Sequence, residues 1–423
     1  MKKTKLALAI ATAAMVSTST PVLATNGDVL IGLGAQARAL GGTGTAAFFG
    51  SENALTNPAL LGKSQGSEFA IGGTAFMPNV EATSDVSAPG SASSEKSGND
   101  MNVIPEVSMS TRINENWTFG LGMFGSAGMG VDYRDNAALF EGYSNLQLMK
   151  FAPSIAYNDD NFGLGFAPVI QYGALDISYE QNSNPEKTGN GMSTDLGYGF
   201  NLGGYMDIND KLTIGLAYQS AISMEYKDQI SVAATGFGLT MADKLEQPAE
   251  IKIGAAYNTG NWMVTADAKQ IKWGDAAGYK EFNWEDQNVF ALGAKYTAND
   301  YWLGAGYNFG SDPIKEVGVG STGATPGAGG MDGYYAQASD LFNNHFFPGV
   351  VESHITFGGG YSLGKNTMIE GAVTYAAEVE KTVDTGVISS ALGSSFASTA
   401  DAGTSHTVKH SQLGYTVSLK MNF

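Results

Sequence analysis

Apolar and polar residues alternate along most of this chain with a period of two. In the last stretch Tyr415, Val417, Leu419, Met421 and Phe423 stand against Thr416, Ser418, Lys420 and Asn422, so a strand there has one greasy face and one wet face. The same dyad runs through Leu212, Ile214, Leu216 and Tyr218, through Ile355, Phe357, Tyr361 and Leu363, and through Trp117, Phe119, Leu121 and Met123. Alternation of this kind predicts antiparallel β-structure and leaves two architectures open, a two-sheet sandwich and a barrel.

The breaks between strands favour the barrel. Tight Asn/Asp turns fall at Asn114–Asn116, Asn158–Asn161, Asn209–Asp210, Thr259–Asn261, Ala298–Asp300 and Gly364–Asn366. Between them lie long polar or Gly/Ser-rich excursions, at Asn79–Met101, Asp132–Asn145, Glu180–Ser193, Lys227–Pro248, Gly274–Asp286, Gly310–Val351 and Ala376–His410. Six short turns and seven long loops connect fourteen strands. Short turns on one side, long loops on the other and an even strand count are the marks of an outer-membrane barrel. Trp117, Tyr157, Tyr218, Tyr257, Trp262, Tyr301 and Tyr361 recur at strand ends, where aromatic girdles would sit. The abundant glycines suit strand curvature and a roomy interior.

The segment ahead of these strands has no such period. Lys2, Lys3 and Lys5, the apolar run Leu6–Val16 and the small-residue site Val22-Leu23-Ala24 read as a secretory signal over residues 1–24. Residues 25–66 follow, Gly-rich and irregular from Asn26 to Leu61, too rich in glycine for a helix and too irregular for a strand. Such a segment in front of a barrel wall, which spans residues 67–423, is expected inside the lumen. Gly41, Gly42 and Gly44 would then allow close backbone approach within it.

Composition narrows the function. Removing the three lysines of the signal from 23 basic residues leaves 20 against 41 acidic ones, a net charge of −21 that excludes nucleic acid as a partner. The absence of cysteine removes disulfides, thiolate metal sites and Cys nucleophiles. Beyond the signal no apolar run reaches about 18 residues, so only a closed barrel could cross a bilayer. No nucleophile constellation and no cofactor motif stands out, and the chain reads as a non-enzyme. Gly32-x-Gly34-x-x-Ala37 matches a dinucleotide fingerprint only superficially, for it lacks the preceding strand of a βαβ unit. His406 and His410 read as a solvated pair in a loop rather than a metal site.

The strand phases turn Glu106, Arg112, Lys150, Lys252, Asp267, Lys295, His354 and Glu370 toward the lumen. A Lys or Arg on the lipid face near the midplane would cost about 2–4 kcal/mol, which supports that phase. Two readings of these charges are open: a polar network holding the plug in place, and a site in which Arg112 or Lys150 meets a substrate carboxylate. Leu341, Phe342, Phe346 and Phe347 in the sixth long loop either catch an apolar substrate or pack the loop down.

The run Gly32–Gly44, the motif Asn57-Pro58-Ala59-Leu60, the irregular stretch Asn116–Gly130 and the segment Pro348–Tyr361 resemble the long-chain fatty acid outer-membrane transporters of the FadL/TodX (OmpP1-type) family. The resemblance covers essentially the whole chain after the signal. It implies an all-β fold, a 14-stranded antiparallel transmembrane barrel with an N-terminal hatch in its lumen, in the outer membrane of a Gram-negative cell. The implied function is passive import of hydrophobic molecules, long-chain fatty acids or aromatic hydrocarbons. Asn57, Pro58 and Ala59 would fix the hatch. The third strand, whose dyad fails after Phe124 in Gly125, Ser126, Gly128 and Gly130, would be the kinked strand beside a lateral exit. Phe423 is similar to the terminal aromatic that outer-membrane proteins present to the barrel assembly machinery. A monomer embedded among outer-membrane lipid and lipopolysaccharide is expected, with no cofactor. The alternatives are a general porin for small polar solutes and a surface adhesin or receptor barrel.

Overall fold

The computed structural model describes residues 25–181, 184–317, 332–393 and 402–423. The proposed signal, residues 1–24, and parts of the third, sixth and seventh long loops lie outside them. Fourteen long strands form the wall: β1 (Ser67–Ser84), β2 (Asn102–Arg112), β3 (Trp117–Asp132), β4 (Tyr143–Asn158), β5 (Phe162–Gln181), β6 (Ser193–Asn209), β7 (Leu212–Gln219), β8 (Glu250–Thr259), β9 (Trp262–Ile271), β10 (Gln287–Thr297), β11 (Tyr301–Gly310), β12 (Ser353–Gly364), β13 (Thr367–Asp384) and β14 (Ser405–Asn422). Each pairs antiparallel with its sequence neighbour, and β14 pairs with β1 from His406↔Ser84 to Asn422↔Glu68. The sheet therefore closes into a barrel in which every strand has a neighbour on both sides.

The outer face is apolar because the apolar members of each dyad point out. Leu216, Leu303 and Phe357 are 57%, 58% and 58% exposed, a surface suited to lipid rather than water. Aromatic pairs Trp117–Tyr157 and Trp262–Tyr296, each with ring centroids 5.2 Å apart, ring the short-turn end. Among the described residues no helix is long and apolar enough to cross a membrane.

Two of the long loops are shorter than their composition suggests. β1 continues to Ser84, and β13 and β14 stay paired from Val379↔His410 to Asp384↔Ser405, so residues 79–84, 376–384 and 405–410 belong to the wall. There the phase of the dyad reverses. Val80, Ala82 and Val408 face inward onto Val131, Tyr133 and Leu139, while Glu380 and Lys409 pair on the outside at 3.4 Å. Above the lipid the outward face is wet, and the run loses the apolar alternation that marks the membrane zone.

Residues 25–66 touch the inward faces of strands around the ring and are almost wholly buried. They form the helical turns α1 (Gly34–Ala39) and α2 (Asn53–Thr56) and a 3-10 turn, Pro58–Lys63. Over the long-loop end lie α3 (Ile230–Gly236), α4 (Asp332–Phe346) and α5 (Gly386–Gly393). An aromatic core of Tyr179, Phe237, Phe282, Phe342, Phe346 and Phe347 knits this cap together.

Candidate functional site

The third strand is where the wall departs from regularity. β2 and β3 pair from Arg112↔Thr118 to Glu106↔Phe124 and no further. Beyond Phe124 every residue to Val131 is buried, so the alternation is lost because the strand turns inward. A bulge between Gly125 and Ala127 leaves Ser126 as the extra residue against β4. Ala127 pairs with Val29 of the N-terminal segment, and the Gly128 N–H donates to the Asp28 carbonyl at 3.1 Å. Gly130 lies against the Ser144 carbonyl of β4 with no room for a Cβ.

The N-terminal segment is tied to the wall at many points. The Asn57 side chain accepts from the Ala59 N–H at 3.1 Å and donates to the carbonyls of Thr45 at 2.7 Å, Gly204 at 3.2 Å and Leu216 at 3.4 Å. One amide thus caps the 3-10 turn, whose first residue is Pro58, and reaches β6 and β7. Gly41, at φ +72°, presses on the carbonyls of Leu292 and Tyr307 in the wall, and Gly42, at φ +84°, on that of Ile31. Both need the left-handed region and the missing side chain. The Asp267 carboxylate accepts from the Gly44 and Thr45 N–H groups, both at 2.9 Å.

Two buried ionic groups complete the attachment. Arg38 of α1 meets Glu106 of β2 at 2.6 Å, and the Gly34 N–H donates to the other Glu106 oxygen at 3.2 Å. Lys420 of β14 bridges Glu52 at 3.0 Å and Glu370 at 3.2 Å and donates to the Phe49 carbonyl at 2.5 Å. Burial, then Glu68 and Glu370 nearby, push the Glu52 carboxyl up to about 8 against the pull of Lys420. Lys295 donates to the Gln36 side chain at 2.8 Å, and Gln36 to Glu370 at 2.7 Å.

Behind the β3 kink lies a cavity of about 70 Å³. Val29, Leu30, Ile31 and Leu55 of the N-terminal segment line it, together with Ser126 of the bulge. Lys150, Lys252 and Lys269 line it too, with Glu250 and Asp267. Lys252 and Lys269 approach Glu250 at 3.0 Å and 3.8 Å. Lys150 is only 3% exposed and, among the described residues, makes no hydrogen bond or salt bridge. A buried ammonium without a partner is costly, and an incoming anion would relieve it.

Other residues singled out from the sequence lie elsewhere. Arg112 is at the short-turn end, donating to the carbonyls of Gly62 at 2.9 Å and Ser64 at 2.7 Å and to that of Glu115. Its guanidinium ties the end of the N-terminal segment down and does not reach the cavity. Phe346 and Phe347, with Leu341 and Phe342, are buried in the cap, Phe346 at 5.0 Å from Phe342 and 5.7 Å from Tyr179 between ring centroids. His406 and His410 are not a solvated pair: both point inward from β14 and are buried, His406 against the His345 ring at 5.1 Å and His410 donating through Nδ1–H to the Pro348 carbonyl at 2.8 Å. The reason is the phase reversal above the lipid, which carries β14 upward through what reads as loop. Among the described residues no group of three or more His, Cys, Asp or Glu could hold a metal.

Arg38, Glu52, Glu250, Lys269 and Lys420 are functional candidates that sequence reasoning passed over. Lys269 shares the parity of Asp267, Glu250 that of Lys252, and Lys420 that of Ser418, so the wall residues carried a signal. Arg38 and Glu52 sit in a segment without period and carried none.

Comparison with known proteins gives one consistent answer. A long-chain fatty acid transport protein of Escherichia coli O6:H1 is 27% identical over 201 residues, 41% of this chain and 45% of that protein, so the match spans under half of its length. Outer membrane protein P1 of Haemophilus influenzae is 22% identical over 310 residues, 58% of this chain and 68% of that one. Among solved structures, the Pseudomonas putida toluene transporter TodX superposes with a TM-score of 0.66 at 18% identity, covering 93% of this chain and 99% of that one. A Pseudomonas aeruginosa FadL homologue gives a TM-score of 0.67 at 13% identity, covering 94% and 100%. The model of the family described as outer membrane protein transport protein (OMPP1/FadL/TodX) matches residues 31–319, well over half of the chain, and the protein belongs to that family.

Proposed function

We propose that the protein carries hydrophobic carboxylates of the fatty-acid type passively across the outer membrane. The carboxylate rests among Lys150, Lys252 and Lys269, the tail takes the place along Val29, Leu30, Ile31 and Leu55 that opens when the N-terminal segment shifts, and the cargo leaves sideways where β3 parts from β2. The observation that carries this reading is the cavity itself: three lysines and the apolar residues Val29, Leu30, Ile31 and Leu55 of the N-terminal segment line one space beside the strand that turns inward. Residues 25–66 act as the hatch that closes the straight route. The physics favours such a path. Each methylene returned to water costs about 0.8 kcal/mol, so a long acyl chain gains by moving from lumen to lipid without crossing an aqueous channel. Cargo enters past the cap, where Phe346 and Phe347 must move aside to admit it. Phe423, 77% exposed, is free to be read by the assembly machinery.

The test compares uptake of a long-chain fatty acid and of toluene in cells that depend on this protein. In the Lys150→Ala/Lys269→Ala variant, fatty acid uptake should fall about tenfold, the worth of a charge-assisted hydrogen bond, while toluene uptake is unchanged. Equal loss of both, or entry of toluene and not of fatty acid in the native protein, overturns the carboxylate reading. Entry of small sugars and ions at comparable rates would instead make it a porin.

A further inference from the structure

The wall has a second discontinuity that the transport reading does not use. β4 and β5 pair from Tyr143↔Ser178 to Phe151↔Ile170, and again from Ile155↔Phe166 to Asn158↔Gly163. Between these runs Ala152, Pro153 and Ser154 face Ala167, Pro168 and Val169 without pairing. The constant register sets Pro153 directly opposite Pro168. Proline has no N–H, so a facing pair at a hydrogen-bonded position removes both bonds of that rung. Loss of that one rung accounts for all three missing pairs, since each flanking pair is framed by one bond of this rung and one of the next. Elsewhere each proline keeps its register, Pro153 with Leu121 of β3 and Pro168 with Phe200 of β6, so the break is confined to this seam.

Small residues back the seam. Ala152 and Ala167 are buried on the lumen side, in one apolar cluster with Leu55, Val29 and Phe124. The Ser154 hydroxyl, also buried, has no partner among the described residues. Phe151, Ile155, Phe166 and Ile170 surround the prolines on the lipid side. The kink of β3 begins four residues above Leu121, the partner of Pro153, a rise of roughly 13 Å along the strand. Above that level β3 has no bond to β2 and is tied instead by the Gly128 N–H to the Asp28 carbonyl at 3.1 Å and by the Gly98 N–H to the Asp132 carbonyl at 2.8 Å, while β5 stays paired with β6, so the panel made of β3, β4 and β5 above the seam is released from the wall on its β2 flank alone.

We propose that Pro153 and Pro168 are positioning residues for lateral release: their seam lets the upper panel of β3, β4 and β5 pivot, and the pivot sets the width of the opening between β2 and β3. The inference rests on the lateral-exit reading. Proline at both positions is what a flexing line in a closed barrel requires, because the wall stays continuous on either side while one rung offers no resistance.

Because the chain has no cysteine, introduced ones can be labelled cleanly. Spin labels at Val103→Cys on β2 and Gln147→Cys on β4, whose β3 partner Gly128 lies above the last β2–β3 pair, span the opening, and their distance distribution in lipid bilayers reports its width. The native protein should give a broad distribution. The variant Pro153→Ala/Pro168→Ala restores both donors, and it should narrow the distribution and slow fatty acid uptake by roughly tenfold, with the single variants between. A disulfide between Phe151→Cys and Ile170→Cys, opposite each other just above the seam, should do the same and release on reduction. An unchanged distribution with unchanged uptake in both the double variant and the cross-linked form overturns the inference. If the native protein takes up no fatty acid at all, the transport reading fails, and the label distances still decide whether the seam flexes.

Discussion

At the scale of single residues, the lumen is governed by charges that have too few partners. Lys420 alone serves Glu52 and Glu370, with Glu68 close by, and the surplus of carboxylates in a dry place is why Glu52 holds its proton up to about 8. A carboxyl whose folded pKa is raised keeps its proton in the folded state after the unfolded chain has released it. Its contribution is therefore fully present below the ordinary carboxyl range and declines as the pH rises through 8. Attachment of the hatch should weaken between about pH 5 and pH 8 in the native protein, and Glu52→Gln should abolish that dependence. Amide hydrogen exchange of residues 41–61 against pH is the measurement, and an equal slope in native protein and variant would show that Glu52 is not the titrating group. The wall charges of this network were legible in the sequence, because strand parity alone places Lys150, Lys252, Asp267, Lys295 and Glu370 on the inner face. Their partners were not, since Arg38, Gln36 and Glu52 lie in a segment with no period and meet wall residues as many as 368 positions away, as Glu52 does with Lys420.

At the scale of elements, the strands of the membrane zone follow from the dyad because lipid outside and polar lumen inside impose opposite demands on successive residues. Where water replaces lipid outside, the rule changes sign, which is why the upper ends of β1, β13 and β14 read as loop. The kink of β3 was visible as a failure of the same rule at Gly125 to Gly130, whereas the proline seam was hidden because a proline is informative only once its cross-strand partner is known. The cap is the element least determined by pattern. α4 is held by ring packing, Phe346 lying between Tyr179, Phe237 and Phe342 with complete burial. Phe346→Ala should remove about 3–5 kcal/mol of local packing and free α4 from the barrel mouth. The expected outcome is protease cleavage within residues 332–352 at concentrations that leave the native protein whole, while the barrel itself keeps its resistance to unfolding in detergent. A variant no more cleavable than the native protein would mean that α4 is held by something other than this cluster.

At the scale of the whole molecule, the pairing of the wall does not depend on the N-terminal segment, though many side chains join the two, and this is what makes the transport reading decisive to test. The fourteen strands close through their own pairings, and among the described residues the N-terminal segment pairs with the wall strands at the single bridge Val29↔Ala127. Deleting residues 26–61 should therefore leave a folded barrel. Its lumen, relieved of the hatch, would expose Glu106, Lys150, Lys252, Lys269, Glu370 and Lys420, and water can hydrate those charges at little cost once the apolar residues that dried the space are gone. A fourteen-stranded cylinder without filling falls between the small barrels packed by their own side chains and the larger ones that hold an aqueous channel. In planar bilayers the deletion variant should show a large, steady ion conductance where the full chain is nearly silent, and fatty acid uptake should lose its dependence on Lys150 and Lys269, because cargo no longer has to rest beside the kink before leaving. Equal conductance in the two forms would mean that the full chain already holds an open pore, and the lateral route would lose its reason to exist.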